Sequence, residues 1–264
     1  MKPKQRHSGL TLTEMTIVVA TVALLTALSM PAVRSFFYSM AAASNTKALI
    51  SASLASARAI AAREQKYAGI RFQKAYYAGD IFDAPQYMIF IVYDYDKTTL
   101  ANGFRAVEGI QLIKLSDSVG VTDLYANGVS ITANSNIDEP NEVRDTTTFS
   151  IIFSPSGRLV THDVRVRNRN GIYRPDNGDP LKVSMDDVFN SETNIVNYKT
   201  GLFAQDDYPP ALREEPGRNS FIIYEKDKFK AAYQKGAAFS DYLSRLVPEM
   251  IRINPYTGTI INEQ

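Results

Sequence analysis

One carboxylate, Glu14, interrupts the most apolar stretch of a chain of 264 residues. Residues 9–37 read GLTLTEMTIVVATVALLTALSMPAVRSFF, and no residue from Met15 to Val33 is charged. A carboxylate that enters hydrocarbon within such a run costs roughly 2.5–3.5 kcal/mol unless it is paired. The chemistry expected of Glu14 is therefore pairing with a cation, not turnover. Catalytic constellations are scarce elsewhere, because the chain has 2 histidines, His7 and His162, and no cysteine. A zinc site of His and Cys ligands cannot be assembled from so few donors. A Ser-His-Asp triad would have to use His162, whose surroundings Thr161-His162-Asp163 contain no nucleophile turn of the G-x-S-x-G kind. A structural or surface role is expected for it.

Acid pairs stand at Asp94/Asp96, Asp186/Asp187 and Asp206/Asp207. Asp94 and Asp96 would share one side of a persisting strand, but acids at a strand end usually cap turns. Asp176-Asn177-Gly178-Asp179 and Asn134 to Glu139 offer oxygen ligands of the kind calcium takes, without the twelve-residue loop spacing. Asx turns are the expectation, with no metal and no cofactor. Arg165, Arg167, Arg169 and Arg174, with Tyr173 among them, form the densest basic stretch. Such a stripe can touch nucleic-acid phosphates, yet solvated strand edges carry the same pattern.

The elements that must position Glu14 are helical. From Met15 to Val33 are 19 residues, about 28 Å at 1.5 Å each, close to the 30 Å of a bilayer core. A transmembrane segment over about 12–33 is the expectation. Lys2, Lys4 and Arg6 precede the run while only Arg34 and Lys47 follow closely, which orients the N-terminus to the cytoplasm. Residues 40–66 lack Gly and Pro and are rich in Ala, so the helix is expected to continue, with Ile50, Leu54, Ala57 and Ala61 lining its buried face.

Gly9-Leu10-Thr11-Leu12-Thr13-Glu14, behind a short basic leader and ahead of a full apolar span, resembles the cleavage and methylation motif of type IV prepilins and type II secretion pseudopilins. The resemblance implies that a prepilin peptidase cuts after Gly9, that Leu10 becomes the N-methylated first residue, and that Glu14 pairs with a neighbouring subunit's amine during assembly. Pro31 stands where the long helix of that family often carries a kinking proline, which removes one backbone hydrogen bond. Leu10 replaces the family's usual Phe and Thr13 its usual aliphatic residue. The stretch ASARAIAAREQKYAGIRF and the block Phe153-Ser-Pro-Ser-Gly-Arg158 are most similar to H-type minor pseudopilins and related minor pilins. The implied fold class is α+β, a pilin-like fold in which a long N-terminal helix, half of it transmembrane, packs on an antiparallel sheet. The implied partners are the prepilin peptidase, other pilin or pseudopilin subunits, the inner-membrane assembly platform and membrane lipid. The implied location is the inner membrane, with the C-terminal domain periplasmic, and then the fibre.

The domain organisation expected is a leader over 1–9, the long helix over 10–66, and a β-rich domain over 67–264. Removing the 3 basic leader residues from 29 leaves 26 against 28 acidic, a mature charge near −2. That balance provides no field for nucleic acid. Strands are expected at 67–77, 87–94, 104–115 with a bulge at Gly109, 129–133, 148–153, 159–166 and 220–224. A helix over 228–245 and a final hairpin over 250–261 complete the pattern. Residues 168–219, rich in Asn, Asp, Pro, Gly and Arg, read as an insertion, functional or mobile rather than core. The competing reading is a membrane-anchored or secreted enzyme or binding domain whose N-terminus imitates a prepilin. Gly9→Val is expected to leave the leader attached, whereas the native chain should begin at a methylated Leu10. Mass spectrometry of the N-terminus checks both, and normal trimming of the variant would remove the assignment.

Overall fold

The computed structural model describes residues 12–123, 140–171, 183–206, 214–234, 242 and 245–261, with residues 26–40, 140, 141 and 248 described in backbone only. The architecture is mixed α and β, built on a curled, mainly antiparallel sheet. The chain divides into two compact units, Met1–Ala42 and Ala43–Gln264.

Helix α1 runs over Leu12–Glu64. It ends where Gln65 turns to φ 52° and its side-chain amide donates to the carbonyl of Ala62 at 2.6 Å, which satisfies one of the orphaned C-terminal acceptors. In the second unit, Ile50, Leu54, Ala57 and Ala61 are fully buried, as their spacing predicts. Among the described residues no helix is long and apolar enough to cross a membrane. Of the span expected over about 12–33, side chains are described only for 12–25.

The strands in chain order are β1 (Ala68–Lys74), β2 (Gln86–Tyr93), β3 (Gly103–Ala106), β4 (Ile113–Lys114), β5 (Val119–Thr122), β6 (Phe149–Phe153), β7 (Leu159–Val160), β8 (Asp163–Val166), β9 (Phe189–Asn190), β10 (Phe203–Ala204), β11 (Glu215–Pro216), β12 (Ser220–Glu225), β13 (Ile251–Ile253) and β14 (Ile260–Ile261). Among the described residues three short α-helices accompany them, α2 (Tyr95–Thr98), α3 (Pro140–Thr146) and α4 (Lys226–Gln234), with a π-turn at Asn194–Tyr198 and a 3-10 turn at Val247–Glu249. The main sheet has the order β11-β8-β3-β2-β1-β6-β7, with β4 also pairing β2. Only β3 and β8 run parallel within it. A smaller sheet has the order β14-β13-β12-β5.

Only Thr161 and His162 separate β7 from β8, although the sheet order sets five strand steps between them. In a flat sheet those steps span roughly 24 Å, while three peptide units reach at most about 11 Å. The sheet must curl. Its two sides meet where the Arg218 amide donates to the Ser150 carbonyl at 2.7 Å and the Gly217 amide to the His162 carbonyl at 2.9 Å. The single strand expected over 159–166 is thus two. The expected 104–115 strand is likewise split into β3 and β4, both paired with β2, with Gly109 at φ 75° in the excursion between them.

Alternation along β1 assigns the two faces. Ile70 and Phe72 join Met88, Phe90, Ile151 and Phe153 against α1, and Val121, Phe221 and Ile253 of the smaller sheet complete that core. Gln86, fully buried, ties the two sheets together by donating to the carbonyls of Val121 and Thr147 and accepting from the Val121 amide, all within 2.8 Å. The other face of the main sheet is covered by residues 183–206. Val188, Phe189 and Phe203 close a second core over Ile91, Phe104, Ile152, Val164 and Val166. This part of the 168–219 stretch is therefore core, where composition indicated exposed loop: two phenylalanines and a valine amid polar residues are enough to cover the curled face. Residues 172–182 and 207–213, the 129–133 strand and residues 235–241 of the expected 228–245 helix lie outside the described residues.

Phe72 is fully buried and stacks on Phe149 at 4.8 Å between ring centres. Phe72→Ala is expected to cost about 3–5 kcal/mol by removing that packing, while Ala55→Ser on the exposed side of α1 changes stability by less than about 0.5 kcal/mol. Urea unfolding of the two variants checks the difference.

Candidate functional site

Gly9 and Leu10 lie outside the described residues. Glu14 occupies the first turn of α1 and is exposed. A carboxylate there also meets the positive end of the helix dipole. Pro31 lies within the helical backbone, its side chain outside the described residues. Around Glu14 the described apolar side chains are open: Leu12 is 85% exposed, and Met15, Val18, Val19, Val22 and Leu25 are all more than half exposed.

The acid pairs have separate fates. Strand β2 stops before Asp94, whose side chain caps α2 by accepting from the Lys97 amide and pairs with Arg105 at 2.5 Å. Burial opposes the charge, but these hydrogen bonds hold its carboxyl below the usual range. Asp186 and Asp187 both receive Arg169. Asp206 enters a buried cluster, and Asp207 lies outside the described residues. The arginine stretch is not a solvated stripe: Arg165 and Arg167 are buried, and Arg167 donates to the Thr98 carbonyl at 2.8 Å. Arg174 lies outside the described residues, as do residues 134–139 and 176–179. His162 packs among the rings of Tyr67, Tyr93 and Phe104, with centres 4.3–6.3 Å away. Among the described residues no group of three His, Asp or Glu is placed to hold a metal.

Two arrangements emerge that sequence reading did not assemble. The first is a buried ion cluster. Arg71 on β1, 1% exposed, faces away from α1 and donates to both oxygens of Glu215 at 3.1 and 3.2 Å, to Gln73 at 2.7 Å, and to Asp206 at 3.5 Å. Asp206 accepts from the Val166 amide at 2.7 Å. Arg218 pairs with Asp123 at 2.6 Å nearby. The Arg71 guanidinium faces two carboxylates, of which Glu215 is 9% and Asp206 20% exposed. Burial pushes Glu215 up to about 8 against the pull of Arg71, with Asp206 and Asp123 adding to the rise, and moves Asp206 in the same direction. An arginine inside the apolar run AGIRFQK was the visible signal; its partners lie 135 and 144 residues away.

The second is a cavity of about 310 Å³ beside α2, lined by Lys97, Arg105, Glu108, Arg169, Met185 and Asp187 among others. A further buried amine, Lys74, donates to the Ile81 carbonyl at 2.7 Å, and burial with the nearby Lys226 lowers it to about 7.

Comparison of the chain with protein-family models, with curated proteins and with solved structures finds no match in any of the three.

The two titrating sites bend stability in opposite directions. An acid raised to about 8 binds a proton when folded that the unfolded chain releases, so its contribution is full below 4.5 and is lost as pH rises to about 8. A lysine lowered to about 7 is neutral when folded, so its penalty is relieved as pH rises from 7 to 10.5. Unfolding free energy measured against pH is expected to fall through the first window and recover through the second. Glu215→Gln should flatten the fall and Lys74→Met the recovery. Arg71→Met strips Glu215 of its paired cation and weakens that of Asp206, and is expected to cost about 3–5 kcal/mol at pH 8, and less at pH 5.

Proposed function

We propose that this chain is a prepilin-type subunit, a minor pilin or pseudopilin, cut after Gly9, methylated at Leu10 and assembled into a type II secretion pseudopilus or type IV pilus. The observation that carries the reading is the exposed apolar helix around Glu14. A helix apolar all round, with its side chains open, requires cover by lipid or by other helices. Before assembly the cover is the inner membrane, which the segment 12–33 spans as the outer half of a long pilin-like helix. In the fibre the cover is the same segment of neighbouring subunits, delivered by the assembly platform. Pairing of Glu14 with the amine of a neighbour's Leu10 offsets the cost of burying the carboxylate and fixes the axial register.

The second half of α1 supports the same reading. Ala48, Ala52, Ala55, Ala59 and Ala62 are all exposed and alternate at spacings of four and three, opposite the buried stripe. A 3.5-residue repeat of small side chains lets another helix approach closely. Larger apolar residues there would be an aggregation hazard before assembly.

Glu14→Ala should still be processed at Gly9, while its incorporation into fibres falls by at least about tenfold, equivalent to 1.4 kcal/mol. Sheared-fibre fractions probed for the subunit measure this, and normal incorporation would end the charge-pair role.

A further inference from the structure

We propose that the cavity beside α2 binds a small zwitterion of the free amino-acid class. Its volume of about 310 Å³ stands at the lower end of the 300–1,000 Å³ usual for ligand pockets, so the ligand is small. Its walls are fixed before any ligand arrives. Arg169 is gripped by Asp186, whose side chain is fully buried, through contacts of 3.1 and 3.2 Å. Asp186 is held in turn by the Val188 amide at 2.9 Å. On the opposite wall, Arg105 is held by Asp94 of the α2 cap. Gly171, at φ 70°, lies so near the Lys97 carbonyl that a Cβ would come within 2.3 Å of that oxygen, so this close approach requires glycine.

Charge decides what fits. Arg105 is paired with Asp94, and Arg169 with both Asp186 and Asp187, yet among the described residues both Nη atoms of Arg105 and Nη1 of Arg169 make no hydrogen bond. Lys97 forms no ion pair among the described residues. These groups offer cationic donors for a carboxylate, two of them with the fork geometry that suits it. Glu108 forms neither hydrogen bond nor ion pair among the described residues and acts on Arg169 through its field alone. It is the acid left to receive an ammonium, because Asp187 is already paired with Arg169. A phosphate-like dianion would meet three acids as well as three cations, whereas a ligand carrying both an ammonium and a carboxylate finds a partner for each charge. Met185, 73% exposed at the rim, presents an apolar surface for a side chain.

The test uses the full-length purified chain in detergent and three probes: L-leucine, N-acetyl-L-leucine without the cation, and L-leucinamide without the carboxylate. Titration calorimetry is expected to show leucine binding with a millimolar or tighter Kd, and each capped analogue binding at least about tenfold more weakly. Glu108→Gln and Lys97→Met, both at exposed positions outside the core, should each weaken leucine binding about tenfold while leaving the melting temperature unchanged. Absence of leucine binding, equal binding of N-acetyl-leucine, or indifference to both variants would overturn the proposal. None of these readouts depends on Glu14 or on fibre assembly.

Discussion

A two-residue link governs the second unit. Because Thr161 and His162 carry the chain from β7 at one side of the main sheet to β8 near the other, the sheet cannot lie flat. Curling brings β11 beside β6 and turns one face inward on itself while the other receives α1. The aromatic cluster of Tyr67, Tyr93 and Phe104 around His162 fills the corner where the link passes, so the tightest point of the curl is also well packed. Residues 183–206 follow from the same constraint, since a curled apolar face left in water would forfeit its burial.

Closure has an electrostatic cost. Bringing β11 to β6 and seating the 183–206 layer places Glu215 and Asp206 against one arginine in the interior. Well-packed apolar residues would often serve stability as well or better. What the cluster adds is directionality: an apolar face tolerates sliding, whereas a guanidinium fork facing a carboxylate admits one arrangement. Arg71 therefore couples three separate segments, β1, β11 and the covering layer, and makes their relative position sensitive to protonation.

The side chains of α1 change in size along its length. Its first part exposes large apolar side chains around one carboxylate; its second buries one stripe under the sheets and exposes small residues on the opposite side. Side-chain volume is the variable that changes along the helix.

The periodic features were legible in the sequence. The stripe Ile50, Leu54, Ala57 and Ala61 repeats with the helical period, and the 220–224 strand reads as a short apolar run, because both signals are local. The Ser154-Pro-Ser-Gly157 turn was equally legible: Gly157 closes it at φ 76°, a conformation that glycine adopts at no steric cost. What the sequence by itself determined was thus the long helix, most strands and the motif around Glu14. Tertiary structure alone decided the curl, the core role of 183–206, the pairing of Arg71 with Glu215 across 144 residues, and the cavity that gathers Lys97, Arg105, Glu108 and Arg169. The reason is that a charge or a phenylalanine in a polar stretch carries no address. Its partner is set by which strands the short link brings together, and that is a property of the closed sheet.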